Sequence, residues 1–273
     1  MEHLSLDTFI SNFSDYEVKL NDTDDRKKTA LHNAAHNGDR GVVEGLLHAK
    51  ADPNLLDKDN CTPLCLAIRE DKFETALILL ESPEVDVNLG GGVCGSPLHM
   101  AVVKLEVFLV KALINKNSDV NIRDSDGNTP LHNVMRVFSK DPLKCKEITE
   151  TLIRSGADPN AQNHEKWTAL HLAVKKGHQE GVRTILALNR QLRSASLPIF
   201  DLDQPGGVQS WSALHLAAHA GHLSILEDLI EEGADVFLRN GTNQTARTCA
   251  KGNLVMIKVL QKNERIALNS ENY

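Results

Sequence analysis

Aromatic residues are scarce in this chain of 273 residues: two Trp, two Tyr and seven Phe, or 4%. That is thin for an enzyme that stacks a cofactor ring or a nucleobase. An excess of positive charge is also lacking. Thirty Lys and Arg face 37 Asp and Glu, for a formal charge of −7. A chain that follows a phosphate backbone leans the other way, so no nucleic acid is expected as a partner. No apolar run approaches the roughly 20 residues of a membrane helix, so no membrane insertion is expected. The start, Met1-Glu2-His3-Leu4-Ser5, has neither the basic nor the apolar stretch of a secretory signal. The cysteines, at 61, 65, 94, 145 and 249, are odd in number and irregular in spacing. They argue against a disulfide framework and for a reducing, intracellular compartment, the cytoplasm or the nucleus. With 41% hydrophobic and 25% charged residues, disorder along the whole chain is excluded.

What the chain does have is a repeat. One tetrapeptide recurs as Thr29-Ala30-Leu31-His32, Thr62-Pro63-Leu64-Cys65, Ser96-Pro97-Leu98-His99, Thr129-Pro130-Leu131-His132, Thr168-Ala169-Leu170-His171 and Ser212-Ala213-Leu214-His215. It fades to Thr245-Ala246-Arg247-Thr248. The steps are 33, 34, 33, 39, 44 and 33 residues. An Asn stands eight residues before the hydroxyl residue at 21, 54, 88, 121 and 160. Thr or Ser is a good helix N-cap, and Pro at the next position misses no donor there. A second apolar pattern follows each anchor, as in Val42-Val43 with Leu46-Leu47 and Ile225-Leu226 with Leu229-Ile230. Its i, i+3, i+4 spacing marks one buried helix face. Gly156 and Gly233 follow such helices, where a left-handed residue is wanted.

Period and motif together resemble the ankyrin repeat, over residues 20 to 263 or nearly so. The resemblance implies an all-α solenoid of about seven helix-turn-helix units joined by β-hairpin turns. We expect a single domain over 1–273. Residues 1–20 would supply an N-terminal capping helix, with the amphipathic stretch Leu4 to Phe13. Repeats would fill 21–263, with the last second helix at Leu254 to Leu260, and 264–273 would be a tail. Two insertions interrupt the period, near 138–144 and 190–209. Either is a tolerated surface loop or a partner contact. Gly90-Gly91-Gly92 and Gly95 mark a hairpin of unusual freedom.

Chemical motifs are not found, so no enzyme, no cofactor and no metal is expected. His32/His36 and His215/His219 have i, i+4 spacing, but no Glu follows the first His of either pair. The anchor histidines are read as ligands of turn backbone. Gly90-Gly91-Gly92 lacks the Lys and Ser/Thr of a phosphate loop.

The resemblance places recognition on the hairpin tips and the exposed side of the first helices. Trp167 and Trp211 occupy the position before the cap in successive repeats. With stacked helices about 10 Å apart, they would be neighbours on that concave side. Around them we place Asp126, Asn128, Glu165, Lys166, Lys175, Lys176 and His219. Asn88 and Asn121 best fit the hydroxylation pattern of such repeats, although turn bonding accounts for them as well. The expected function is a non-enzymatic adaptor or scaffold, monomeric on its own, binding another protein or an extended peptide. Two alternatives stay open: an inhibitor-of-NF-κB-like regulator of a transcription factor, or the targeting part of a larger ligase or kinase assembly.

Overall fold

The computed structural model describes residues 20–92, 95–194 and 199–270. The expected capping helix at 4–13 and Cys94 lie outside them. Fourteen helices, seven pairs, occupy the described residues, and the one strand-like feature among them is an isolated antiparallel bridge, Gly206 to Trp211. The chain divides into two compact units, Met1–Ser125 and Asp126–Tyr273.

The first unit holds α1 (Ala30–Asn37), α2 (Arg40–His48), α3 (Pro63–Arg69), α4 (Phe73–Glu81), α5 (Pro97–Lys104) and α6 (Val107–Asn115). First helices α1, α3 and α5 stack in one row, and second helices α2, α4 and α6 in another. The second unit holds α7 (Pro130–Val137), α8 (Pro142–Arg154), α9 (Ala169–Lys175), α10 (Gln179–Ser194), α11 (Ala213–Ala220), α12 (Leu223–Glu231), α13 (Ala246–Cys249) and α14 (Leu254–Ser270). Its rows are α7-α9-α11-α13 and α8-α10-α12-α14.

Each first helix starts at the hydroxyl residue of the tetrapeptide, for a local reason. At Thr29 the side chain accepts from the His32 amide at 3.3 Å, and the Thr29 amide donates to His32 Nδ1 at 3.1 Å. A cap of this kind contributes about 1 kcal/mol. Because Nδ1 is the acceptor, the ring proton sits on Nε2. His32 Nε2 then donates to the Cys61 carbonyl of the next repeat at 3.1 Å. His132 reaches Trp167 O, His171 reaches Trp211 O and His215 reaches Gln244 O, each at 2.9 Å. One residue thus closes its own helix start and ties it to the following hairpin. Cys65 stands where the His is missing; its amide uses the Thr62 cap and its thiol points at Leu89 O, 3.7 Å away. Burial pushes that thiol up to about 12, so it stays protonated. Cys61, Cys65, Cys145 and Cys249 are all buried.

The hairpin asparagines form a second set of ties. Asn21 Oδ1 accepts from the Asp52 amide at 2.9 Å, Asn54 from Asp86 at 2.8 Å, Asn88 from Asp119 at 2.8 Å and Asn160 from Asp201 at 2.8 Å. Asp203 takes the same place next, accepting from the Asp235 amide at 2.9 Å.

Two helix boundaries and the setting of one loop differ from expectation. The first insertion lengthens α8 to 13 residues rather than forming a loop. Its Phe138 is 2% exposed and packs on Gly181. The second insertion extends α10 to Ser194, and its later part is docked. Asn189 is fully buried and bonds the Phe200 backbone twice, at 3.2 and 2.8 Å, with Phe200 itself 1% exposed. The last second helix runs to Ser270 and not to Leu260, held in part by Arg247 and Glu264 at 2.9 Å.

Candidate functional site

The hairpins and first helices of the second unit bring most of the expected residues together. A hollow of about 370 Å³ opens between the 126–128 and 163–165 hairpin tips and the ends of α7 and α9. Asp126, Asn128, Glu165, Lys175 and Lys176 line it, as expected, and so do Arg136, Asn163, His164 and Leu172. The volume falls at the lower end of ligand-sized sites, roughly 300–1,000 Å³.

The hairpin that shapes this hollow is built on Asn163. Its Oδ1 accepts from the Trp167 amide at 2.9 Å, and its Nδ2 donates to Asn128 Oδ1 at 2.9 Å. Asn128 is therefore part of the wall's framework. It is 3% exposed, where an accessible contact residue was expected. The His164 amide donates to Asp126 O at 3.0 Å, and its ring covers Gly127, where a Cβ would come within 2.5 Å. Lys175 holds its ammonium 5.2 Å from the Trp167 ring centre, a cation–π arrangement.

The two tryptophans are both engaged within the chain. Each indole packs on a histidine of its own repeat: Trp167 on His171 at 5.4 Å and Trp211 on His219 at 4.6 Å. The second insertion covers part of Trp167. Gly206 exchanges two 2.8 Å backbone bonds with Trp211, and Gly207 lies on the Trp167 ring. A Cβ at Gly207 would stand 2.3 Å from that ring. Its φ of +67° is the left-handed region as well, so glycine is required twice over. The Gly207 amide reaches the Lys166 carbonyl at 3.4 Å. His219 Nε2 accepts from Lys251 Nζ at 3.1 Å. Burial, then the Lys251 charge, holds its imidazole below the usual range.

Charge separates this site from the first unit. Residues 1–125 hold 21 of the 37 acidic and 13 of the 30 basic side chains, for −8. Residues 126–273 hold the other 16 and 17, for +1. In the first unit the cations at first-helix ends are paired. Arg69 meets Glu70 at 3.1 Å, and Lys104 meets Asp71 at 2.6 Å. In the second unit Arg183–Asp228 and Arg190–Glu232 pair across second helices. Arg136, Lys175 and Lys176 form no ion pair among the described residues. The halves' difference in charge was countable from the sequence; the pairing was not.

Asn88 and Asn121 are both exposed, in the turns that precede the hairpin tips. Asn88 is also a tie, as described, and takes a further 3.3 Å bond from Ser118 Oγ. Among the described residues no three His, Cys, Asp or Glu side chains gather as a metal ion would require. No described helix is long and apolar enough to cross a membrane.

Comparison with known proteins agrees with this architecture. A family model described as ankyrin repeats in three copies matches residues 5–91 and 135–240. The chain belongs to the ankyrin repeat family. Among its relatives, E3 ubiquitin-protein ligase KEG of Arabidopsis thaliana is 28% identical over 61% of this chain and 11% of its own length. The nuclear factor NF-kappa-B p105 subunit of Gallus gallus is 28% identical over 69% of the chain and 19% of itself. Neurogenic locus notch homolog protein 1 of Xenopus tropicalis is 32% identical over 60% and 6%. The chain thus spans a small part of each of these larger proteins. A solved structure, the ankyrin repeat domain of Bcl-3, a member of the IkappaB family, superposes with a TM-score of 0.72 at 22% identity. That match covers 86% of this chain and 98% of the other. Ankyrin repeats generally mediate protein–protein interaction, and ankyrin repeat domains are typically non-enzymatic.

Proposed function

We propose that this chain is a protein-binding module, an adaptor or scaffold, whose recognition face is the hairpin and first-helix side of the second unit. The observation that carries this reading is the hollow itself. Five of the residues expected to contact a partner line it, Lys175 among them with its ammonium over the Trp167 ring, and Leu172 adds an apolar side chain. The buried cysteines support an intracellular location.

The test is affinity capture from cell extract with wild type beside Lys175→Glu/Lys176→Glu, both checked for fold by circular dichroism. A protein retained by wild type and lost by the folded variant supports the reading. Retention by both would move the recognition face elsewhere. The match to the p105 subunit and the likeness to the Bcl-3 domain favour a second reading, a regulator of a transcription factor. Enrichment of such a factor in the same capture would select it. The match to a ubiquitin ligase favours a targeting role, which ligase components among the captured proteins would select. Hydroxylation of Asn88 and Asn121 is retained as a proposal. Intact-peptide mass spectrometry without the added mass of one oxygen on either residue would remove it for the cells sampled.

A further inference from the structure

Resting on that reading of the recognition face, we propose that the hollow at Arg136, Lys175 and Lys176 is a carboxylate subsite, and that its occupant is an acidic, extended segment of a partner polypeptide. Three observations converge.

The first is the absence of internal neutralisation. The first unit shows how this fold disposes of a cation at the end of a first helix: the turn after α3 supplies two carboxylates, Glu70 for Arg69 beside it and Asp71 for Lys104 at the end of the next first helix. After α9 that turn reads Lys176-Gly177-His178, and after α7 it reads Phe138-Ser139-Lys140. No carboxylate stands in either place. Arg136, Lys175 and Lys176 are left exposed and unpaired in one hollow.

The second is the balance of the hollow's own charges. Its two carboxylates, Asp126 and Glu165, sit on the hairpin tips, while the three cations sit at the helix ends. The hollow is therefore polarised, with positive charge along its floor and negative charge at its rim. A carboxylate is favoured on that floor on Coulombic grounds, more strongly than in open water because solvent is partly excluded.

The third is the apolar wall. Leu172 is its apolar lining residue, 9% exposed, and Lys175 holds its ammonium over the half-buried Trp167 ring, which stands behind the lining. Lys175 is thereby held over the ring instead of roaming, which lowers the entropy lost when it meets an anion. A peptide offers what this wall and floor require, an acidic side chain with aliphatic carbons beside it. A nucleic acid would bring a run of phosphates, for which three cations flanked by Asp126 and Glu165 are a poor match.

The experiment is selection of a random dodecapeptide library on the full chain, followed by fluorescence anisotropy with the selected peptides. The expected result is an excess of Asp and Glu in the retained peptides, with affinity falling as salt rises. Lys175→Glu/Lys176→Glu and Arg136→Glu are each expected to weaken these peptides about tenfold or more, roughly 1.4 kcal/mol per tenfold. Lys258→Glu/Lys262→Glu on α14 should leave them unchanged and serves as the charge-matched control. Retained peptides that are neutral or basic, yet are lost with Lys175→Glu/Lys176→Glu, would overturn the carboxylate subsite and leave the recognition face standing. Acidic peptides indifferent to all three hollow residues would overturn both. A single-stranded oligonucleotide that displaces the peptides at equal or lower concentration would overturn the polypeptide occupant.

Discussion

The two units are made from one motif, yet they treat their surface charge in opposite ways. In the first, an excess of acid is threaded through the helix ends, so that Arg69 and Lys104 finish inside ion pairs. In the second, acidic side chains pair across the second helices, at Asp228 and Glu232, and Glu264 takes Arg247 on α13, while the ends of α7 and α9 keep their cations unspent. The second unit is also where the period breaks and where both tryptophans lie. The lesson is that a regular backbone leaves charge placement free. Scaffold residues repeat because packing demands it, while residues between them diverge without cost to the fold.

The strongest way to break this comparison is acid. Burial drives the His171 imidazole down to about 4, from an ordinary 6.5. The unfolded chain then takes up the proton first as pH falls. The neutral ring's contribution is complete above about pH 6.5 and is lost as pH falls toward 4, on the order of 3 kcal/mol for this residue. His32 and His215 are displaced in the same direction, again by burial. Hydrogen exchange between pH 7 and 4 should show the helices around His171 opening ahead of the first unit. Simultaneous opening of both units would contradict this.

Next in size is the seam of the second insertion. Gly207→Ala sets a methyl against the Trp167 ring at a left-handed position and should destabilise the second unit by about 2–3 kcal/mol. Gly38→Ala in the first unit shares a positive φ, but its Cβ would meet only the Lys72 side chain at 2.9 Å, which can swing aside. That variant should cost about 1 kcal/mol. Urea titrations followed by circular dichroism would rank the two, and equal losses would mean that the insertion does not rest on Trp167.

Smaller again is the contrast in pairing. Lys104→Met removes an ion pair and should lower stability by about 0.5–1 kcal/mol in low salt. Lys176→Met breaks none and should change the urea midpoint little. A comparable loss from Lys176→Met would reveal a partner for it within the chain. The smallest expected effect is a gain. Asp203 stands where the other ties use Asn, and burial raises its carboxyl above the usual range despite the bond from Asp235. A raised carboxylate costs stability once pH passes its folded value, so Asp203→Asn should stabilise the chain slightly at pH 7 and not at pH 3. Matched thermal melts at the two pH values would check it.

Local chemistry was readable from the sequence. A Thr or Ser followed two or three residues later by Leu and His carries its own cap, and all five such anchors, with the Cys65 variant at Thr62, open a helix in the structure. Gly156 and Gly233 have φ of +92° and +93°, as helix ends of this kind require. What escaped was non-local. Position before the cap placed both tryptophans, but Gly206 and Gly207 arrive from a loop about 40 residues after Trp167 and decide what the indole touches. Asn128 looked like a variable tip, and its burial depends on Asn163 in the next hairpin. Asp203 was hidden because it is both a substitution and one residue out of the Asn spacing. Arg136 carried no motif; only the fold sets it beside Lys176.

The asparagine ties have a consequence for how such a chain is copied and edited. Each presents the same oxygen forward and receives the same backbone amide from the unit ahead. A cut after Asn54 and a rejoining at Leu89 would therefore bring like to like, with Asn54 inheriting the Asp119 amide that Asn88 now holds. Duplication or loss of a whole unit by recombination leaves no orphaned bond at the splice. A cut elsewhere in the period lacks this protection only if its two ends differ in phase. Genes built on such couplings can lengthen and shorten in whole units while every intermediate remains foldable.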